Sequence, residues 1–250
     1  MSDVLQVSRD RGVARVTLNR PEVRNAFNAE LIATLAWTFE AFAEEAPEGL
    51  RAVVLAGAGG VFCAGADIEW QRSSIDLSYE ENVEDALKLY EMLRAVDACP
   101  APVVAWIQGY CLGGGCGLAA SADIAIAAGD ATFGFSEVKL GIIPAVISPF
   151  VLAKIGAGAA RRYVLTGERF GSEVALRIGL VSEIAPDADH VIAELLGSGP
   201  AAVREAKRLV RPDPGDGRAL AELAARMRTS QEGQDGLRAF LERRKPAWTD

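Results

Sequence analysis

Three consecutive glycines, Gly113, Gly114 and Gly115, follow Gly109 after a short apolar run (V-V-A-W-I, residues 103–107) and open a stretch of small residues. Without Cβ atoms the backbone there can approach a ligand closely, and a helix starting at that point presents unpaired N–H groups. Such a run is either an oxyanion or anion site or a flexible turn, and alone it leaves both open. The rest of the chain narrows the chemistry. His190 is the single histidine, which excludes a multi-histidine metal site and argues against a Ser-His-Asp triad; in D-A-D-H-V it reads as a surface residue. Cys63, Cys99, Cys111 and Cys116 lie in or beside apolar stretches without C-x-x-C spacing, so they read as reduced, buried thiols.

The elements that must hold the glycine run alternate between strand and helix periodicity. Residues 4–19 alternate around Arg11-Gly12 as a β-hairpin. Pro21 ends it, and Asn28 is placed to cap a helix over 29–45, where Leu31, Leu35, Phe39 and Phe42 recur at helical spacing. Residues 51–57 read as a strand, and V-F-C-A-G-A-D-I (61–68) as strand, turn and helix start. A helix over 80–96 carries Ser78 and Glu81 as a capping box. After the glycines, strands are expected at 124–127 and 132–135, and helices at 148–155, 157–166 and 172–178. This alternation predicts an α/β fold with right-handed crossover helices. From about Ala188 the strand signals stop. Charged, amphipathic helices follow over 200–210, 216–231 and 234–244, with R-P-D-P-G-D-G as a loop, and their apolar faces need the core or another subunit to cover them.

Composition excludes several classes of function. With 250 residues, 50% of them hydrophobic and 24% charged, the chain can bury a substantial core. A net charge of −8 argues against a nucleic-acid surface. No stretch reads as a membrane span, and the N-terminus has no basic region leading into an apolar run, so a cytoplasmic protein is expected. G-A-G-A-A-R at 156–161 lacks the third glycine and the preceding strand of a dinucleotide site, and neither a Walker motif nor a G-x-S-x-G elbow occurs.

Two distant segments, C-A-G-A-D-I (63–68) and Q-G-Y-C-L-G-G-G-C-G-L-A-A-S-A-D (108–123), together resemble the crotonase (enoyl-CoA hydratase/isomerase) superfamily. L-N-R-P-E-V-R-N-A-F (18–27), F-S-E-V-K-L-G-I-I-P (135–144) and A-F-L-E-R-R-K-P-A-W (239–248) extend the resemblance, in order, over nearly the whole chain. It implies a crotonase-like spiral of ββα units over 1–190. A helical region over 191–250 would make a homotrimer or a dimer of trimers and complete the coenzyme A site. The substrate would be a coenzyme A thioester, with no separate cofactor and no metal. The amides of Ala66 and Gly114 match the pair that holds the thioester oxygen in the family, and preorganised donors there stabilise the charge of an enolate. Ala64, Ala66, Asp67 and Ile68, together with Arg24 and Lys245, match coenzyme A contacts.

The resemblance also exposes a departure. The best-known hydratases of the family carry one glutamate just after G-G-G-C and a second in an F-x-x-P-E segment. Here the first position is Gly117, expected to leave space for water or a bulkier substrate, and the second is Glu137. Glu137 reads as the proton-transfer group or as a helix-start acid opposing the dipole. One glutamate leaves hydration and double-bond isomerisation open, and a silent acyl-CoA-binding protein is the reading from another class. A-G-A-D-I-E-W, Y-E-E-N-V-E-D-A-L, G-G-G-C-G-L and S-E-V-K-L-G-I-I-P-A-V-I-S-P-F-V look like the bacterial methylglutaconyl-CoA hydratase branch. That implies a branched, carboxylated enoyl thioester from leucine degradation, within acyl or fatty acid metabolism. Arg72, Lys139, Arg161 and Arg162 are candidates to meet its negative tail, and Asp123 reads as structural.

Overall fold

The structure is a computed structural model that describes residues 3–46, 49–211 and 216–249. Strands β1 (Leu5–Asp10) and β2 (Val13–Leu18) form the expected hairpin, in register from Leu5 opposite Leu18 to Asp10 opposite Val13. Parallel to β2 lie β3 (Ala52–Gly57), β4 (Val103–Ile107), β6 (Ile124–Ala127) and β9 (Glu183–Ile184), in the order β1-β2-β3-β4-β6-β9. Both faces of this sheet are covered, so its central strands are apolar throughout. Val53 and Leu55 point into the main core with Leu31, Leu35 and Phe39. Ala52 and Val54 pack on the other side with Val104, Ile126 and Ile192.

A second sheet stacks β5 (Tyr110–Leu112), β7 (Thr132–Gly134) and β8 (Arg169–Gly171). The chain visits the two sheets in turn and then forms a helix. It runs β4, β5 and α4 (Gly114–Ser121), then β6, β7 and α5 (Ser148–Thr166), which is the spiral of ββα units. The preceding turn is shorter. After β3 only Cys63 pairs, as an isolated bridge with Cys111, before the chain reverses at Gly65 (φ 98°) and enters α2 (Ile68–Ser73) and α3 (Tyr79–Ala98). The strand expected at 61–63 is thus a single bridge, because the reversal leaves no length for a ladder.

Local signals set the helix ends. In α1 (Ala29–Glu45), Asn28 accepts a hydrogen bond from the Leu31 amide at 2.9 Å, and the Ser78/Glu81 box starts α3. The two helices expected over 148–166 form one run interrupted only at Gly156 (φ 67°, ψ 166°). Then come α6 (Ser172–Arg177), α7 (Asp189–Gly197), α8 (Pro200–Leu209), α9 (Gly217–Thr229) and α10 (Gln231–Glu242). The last boundary falls at Ser230, earlier than periodicity suggests, because its extended backbone and its hydroxyl cap α10 at the Gly233 amide. The core of the loop expected at 211–217 lies outside the described residues.

A buried ion pair fastens the helical region to the core. Lys207 of α8 is only 7% exposed; its Nζ lies 2.6 Å from Asp123 Oδ2 and 3.1 Å from the Ala101 carbonyl. Asp123 also accepts from the Val103 amide, which makes it a structural residue at the start of β4. The four cysteines are buried and free, and burial pushes the Cys63 thiol up to about 12. His190 is exposed beside Glu183. Among the described residues no helix is long and apolar enough to cross a membrane.

Candidate active site

Two bends meet beyond the ends of β3 and β5. The first passes through Ala64, Gly65 and Ala66, held by the Phe27 amide on the Gly65 carbonyl (2.7 Å), the Asp67 amide on the Phe27 carbonyl (2.8 Å) and the Ala64 amide on the Arg24 carbonyl (3.0 Å). Asp67 then caps α2, accepting from the Glu69 amide at 2.9 Å and from the Arg20 guanidinium at 2.8 Å. Burial opposes its charge, yet these donors hold the Asp67 carboxyl below the usual range.

The second bend turns at Gly113, whose φ of 51° and ψ of −118° are closed to a residue with a Cβ. Main chain touches main chain between the bends. The Leu112 amide donates to the Cys63 carbonyl at 3.0 Å, and a Cβ added to Gly115 would stand 2.6 Å from that same oxygen.

This contact leaves two donors free. The N–H groups of Ala66 and Gly114 meet no acceptor among the described residues, and both residues line one cleft of about 360 Å³. Glu137 lines the same cleft. It opens a short 3-10 turn, Glu137–Leu140, and its Oε1 lies 3.1 Å from where a Cβ on Gly113 would be. Its Oε2 is buried without a hydrogen-bond partner. Burial pushes the Glu137 carboxyl above its ordinary value, against a hydrogen bond from its own backbone amide. Phe27, Trp70, Leu89, Pro144 and Ile147 make the walls apolar. A carbonyl oxygen placed between the free amides would find preorganised donors, with a carboxylate suited to proton transfer in the same hollow.

The sequence matches the enoyl-CoA hydratase/isomerase family over residues 8–250. The chain belongs to this family. It is 38% identical to an enoyl-CoA hydratase from Shewanella pealeana whose crystal structure superposes with a TM-score of 0.91, covering 98% of this chain and 96% of the other. Pseudomonas aeruginosa AtuE is 37% identical, with a TM-score of 0.92 and 99% and 100% coverage. A Rhodobacter capsulatus protein named "Probable enoyl-CoA hydratase" is 35% identical over 251 residues, 95% of each chain.

Of the residues singled out from sequence, this hydratase/isomerase brings Ala64, Ala66, Gly114 and Glu137 to the cleft. Asp67 stands behind the first bend, paired with Arg20. Ile68 is 72% exposed and is not among the residues that line the cleft. Arg24 is exposed; its guanidinium lies 5.6 Å from the centre of the Tyr110 ring, which Arg169 approaches to 5.7 Å. Arg169 itself lines the cleft, and sequence reasoning passed over it because nothing in T-G-E-R-F-G-S marks β8 as a wall of the site. Lys245 is exposed in the tail whose Trp248 carbonyl accepts from Arg51, next to the start of β3 and at the other end of that strand from the bends.

Gly117 requires a correction. It is buried within α4, does not line the cleft, and leaves no space: a Cβ there would stand 2.3 Å from Ile147 Cγ2 and 2.7 Å from Ile147 Cβ. The room expected for water or a bulkier substrate is filled by Ile147, and no sequence motif signalled that residue.

Proposed function

We propose that the enzyme adds water across the α,β double bond of an enoyl-CoA thioester. One observation carries this reading: two unpaired amides, on Ala66 and Gly114, line the same hollow as an unpartnered carboxylate oxygen on Glu137. Glu137 takes a proton from water as its oxygen bonds to the β-carbon. The electron pair of the double bond moves toward the thioester oxygen, where each amide contributes on the order of 3 kcal/mol to the transition state. The same carboxyl group then returns a proton to the α-carbon. We assign a branched, carboxylated acyl group of the methylglutaconyl kind, supported by the four segments similar to that branch. Assembly as a homotrimer or dimer of trimers in the cytoplasm belongs to the same reading, and exposed apolar residues such as Phe240 and Leu241 support association.

The test follows the absorbance of the conjugated thioester with crotonyl-CoA and methylglutaconyl-CoA. Glu137→Gln is expected to lower kcat by a hundredfold or more while acyl-CoA binding persists, since it removes proton transfer and keeps the shape. Retention of more than about a tenth of the rate would remove Glu137 from the chemistry. A second reading, migration of the double bond, is favoured by Ile147, which puts a hydrocarbon wall where a second acid could have held water. With a 3-enoyl-CoA in deuterated water, isomerised product without any hydrated product would select it.

A further inference from the structure

None of the cations considered for an acyl tail, Arg72, Lys139, Arg161 and Arg162, lines the cleft. Arg72 and Arg162 are spent on exposed pairs, with Glu69 at 2.8 Å and Glu168 at 2.7 Å, and such pairs carry little energy. The buried pair beside the site is another one: the side chain of Arg20 is 14% exposed and that of Asp67 10%. It stands where the first bend is aimed. Phe27 and Ala66 form an isolated parallel bridge, in which the Phe27 amide donates to the Gly65 carbonyl and the Asp67 amide to the Phe27 carbonyl. Successive peptide groups of an extended segment face opposite edges. A bridge that engages Gly65 and Asp67 on one edge therefore turns the Ala66 N–H to the other, into the cleft.

Arg20 grips both strands of that bridge. One guanidinium nitrogen donates to the Ala26 carbonyl at 2.5 Å, beside Phe27, and another to the Asp67 carboxylate at 2.8 Å, beside Ala66. Arg20 is itself fixed. Its amide donates to the buried Asn25 side chain at 2.9 Å, and Asn25 Nδ2 donates in turn to the Ala58 and Val61 carbonyls at 2.9 and 2.6 Å. Past Asp67 the chain turns into α2, so no ladder stiffens the bridge on that side.

We propose that Arg20 is a positioning residue for the oxyanion site: by spanning the Ala26 carbonyl and the Asp67 carboxylate it fixes the direction in which Ala66 offers its N–H to the thioester oxygen. A guanidinium suits this task because its rigid fork reaches two acceptors at once, whereas an ammonium is a point charge. This inference rests on the acyl-thioester reading above and adds a residue to its machinery.

The test uses 4-dimethylaminocinnamoyl-CoA, a conjugated thioester whose absorption moves to the red when donors polarise its carbonyl. Wild type, Arg20→Lys, Arg20→Met and the double variant Arg20→Met/Asp67→Asn are compared for that shift at saturation. They are compared also for kcat and KM with whichever of crotonyl-CoA and methylglutaconyl-CoA the wild type hydrates. Arg20→Met should lower kcat about a hundredfold with KM within about threefold, the pattern of a misplaced group acting in the transition state. Arg20→Lys should recover about tenfold of that loss, since it still reaches one partner, and the red shift should shrink in the same order. The double variant removes the unpaired buried carboxylate that opposes folding of Arg20→Met, and it should still lack the full shift. A merely structural Arg20 would lower the unfolding midpoint while each folded molecule kept its kcat and its red shift. That result overturns the proposal, as does a fall in kcat with the full shift retained. A wild type that leaves the probe's spectrum unchanged overturns the thioester reading, and the role of Arg20 falls with it; a wild-type shift that every variant keeps overturns the role of Arg20 alone.

Discussion

Substituting Gly117 by alanine measures how completely Ile147 has replaced the missing glutamate. Two effects oppose each other. Alanine in a helix interior gains about 1 kcal/mol over glycine. The added Cβ, however, would approach Ile147 to 2.3 and 2.7 Å and Leu93 Cδ1 to 3.4 Å, against normal carbon contacts of about 3.5–4.0 Å. Ile147 is 3% exposed and Leu93 fully buried, so neither can move without disturbing others, and branching at Cβ leaves Ile147 few rotamers. Overpacking of this kind costs typically 1–3 kcal/mol. With the overlap as deep as it is, the upper end applies. The net loss is about 2 kcal/mol, or a fall in Tm of roughly 4–8 °C for a chain of this size. Thermal and urea unfolding of four proteins, wild type, Gly117→Ala, Ile147→Ala and the double variant, would measure it. Ile147→Ala removes Cγ2, so the double variant should be more stable than the sum of the single losses by about 1 kcal/mol or more. Ile147→Val is the control, since it keeps both clashing atoms and should give no such relief. A Gly117→Ala protein as stable as wild type, or an additive cycle, would refute the steric account. It would also restore the view that Gly117 is open space.

Four further outcomes are expected. The acid limb of kcat/KM should lie above the ordinary glutamate value of 4.5, because the base form of Glu137 is lost as pH falls through its raised pKa; a limb at or below that value would contradict the buried site. By the same raised pKa, the stability Glu137 contributes in acid is lost as pH rises through its folded-state pKa; Glu137→Gln should lack that decline, and parallel stability–pH curves would contradict the burial. Gly113→Ala forces a Cβ to 3.1 Å from Glu137 Oε1 in a backbone conformation only glycine adopts, and kcat should fall by about a hundredfold, with circular dichroism confirming a folded protein. Lys207→Met removes one of the donors on Asp123, which keeps the Val103 amide and has Lys154 beside it, and should cost about 2 kcal/mol in urea unfolding; an unaltered midpoint would show that α8 is held by other contacts.

Much of the architecture was legible in residue spacing because local rules govern it. The Asn28 cap, the Ser78/Glu81 box and the alternation in β1 and β2 need only neighbouring residues. The helix over 148–166 was legible too, down to its interruption at Gly156. What local pattern could not supply was contact across the spiral. Tyr110–Leu112 and Arg169–Gly171 are strands only because β7 lies between them, and three residues carry too little periodicity to announce that. Glu137 and the two amides were recognised through motif order, not through chemistry readable in isolation. Gly117 was misread for the opposite reason. A missing side chain looks like room in a sequence, and only the fold reveals that a residue thirty positions on, Ile147, has taken it.

The back-to-back seating of the two bends has a consequence for how such an enzyme can change. Peptide against peptide fixes the gap between the Ala66 and Gly114 donors, from the Cys63 carbonyl to the space Gly115 leaves beside it. Mutational drift in ordinary side chains therefore has little leverage over the grip on the carbonyl. It acts instead on the furniture around that grip: which acids remain, which hydrocarbon replaces them, and how far the tail of a guest can extend. New specificities can be tried there without recasting the part of the site that every guest shares.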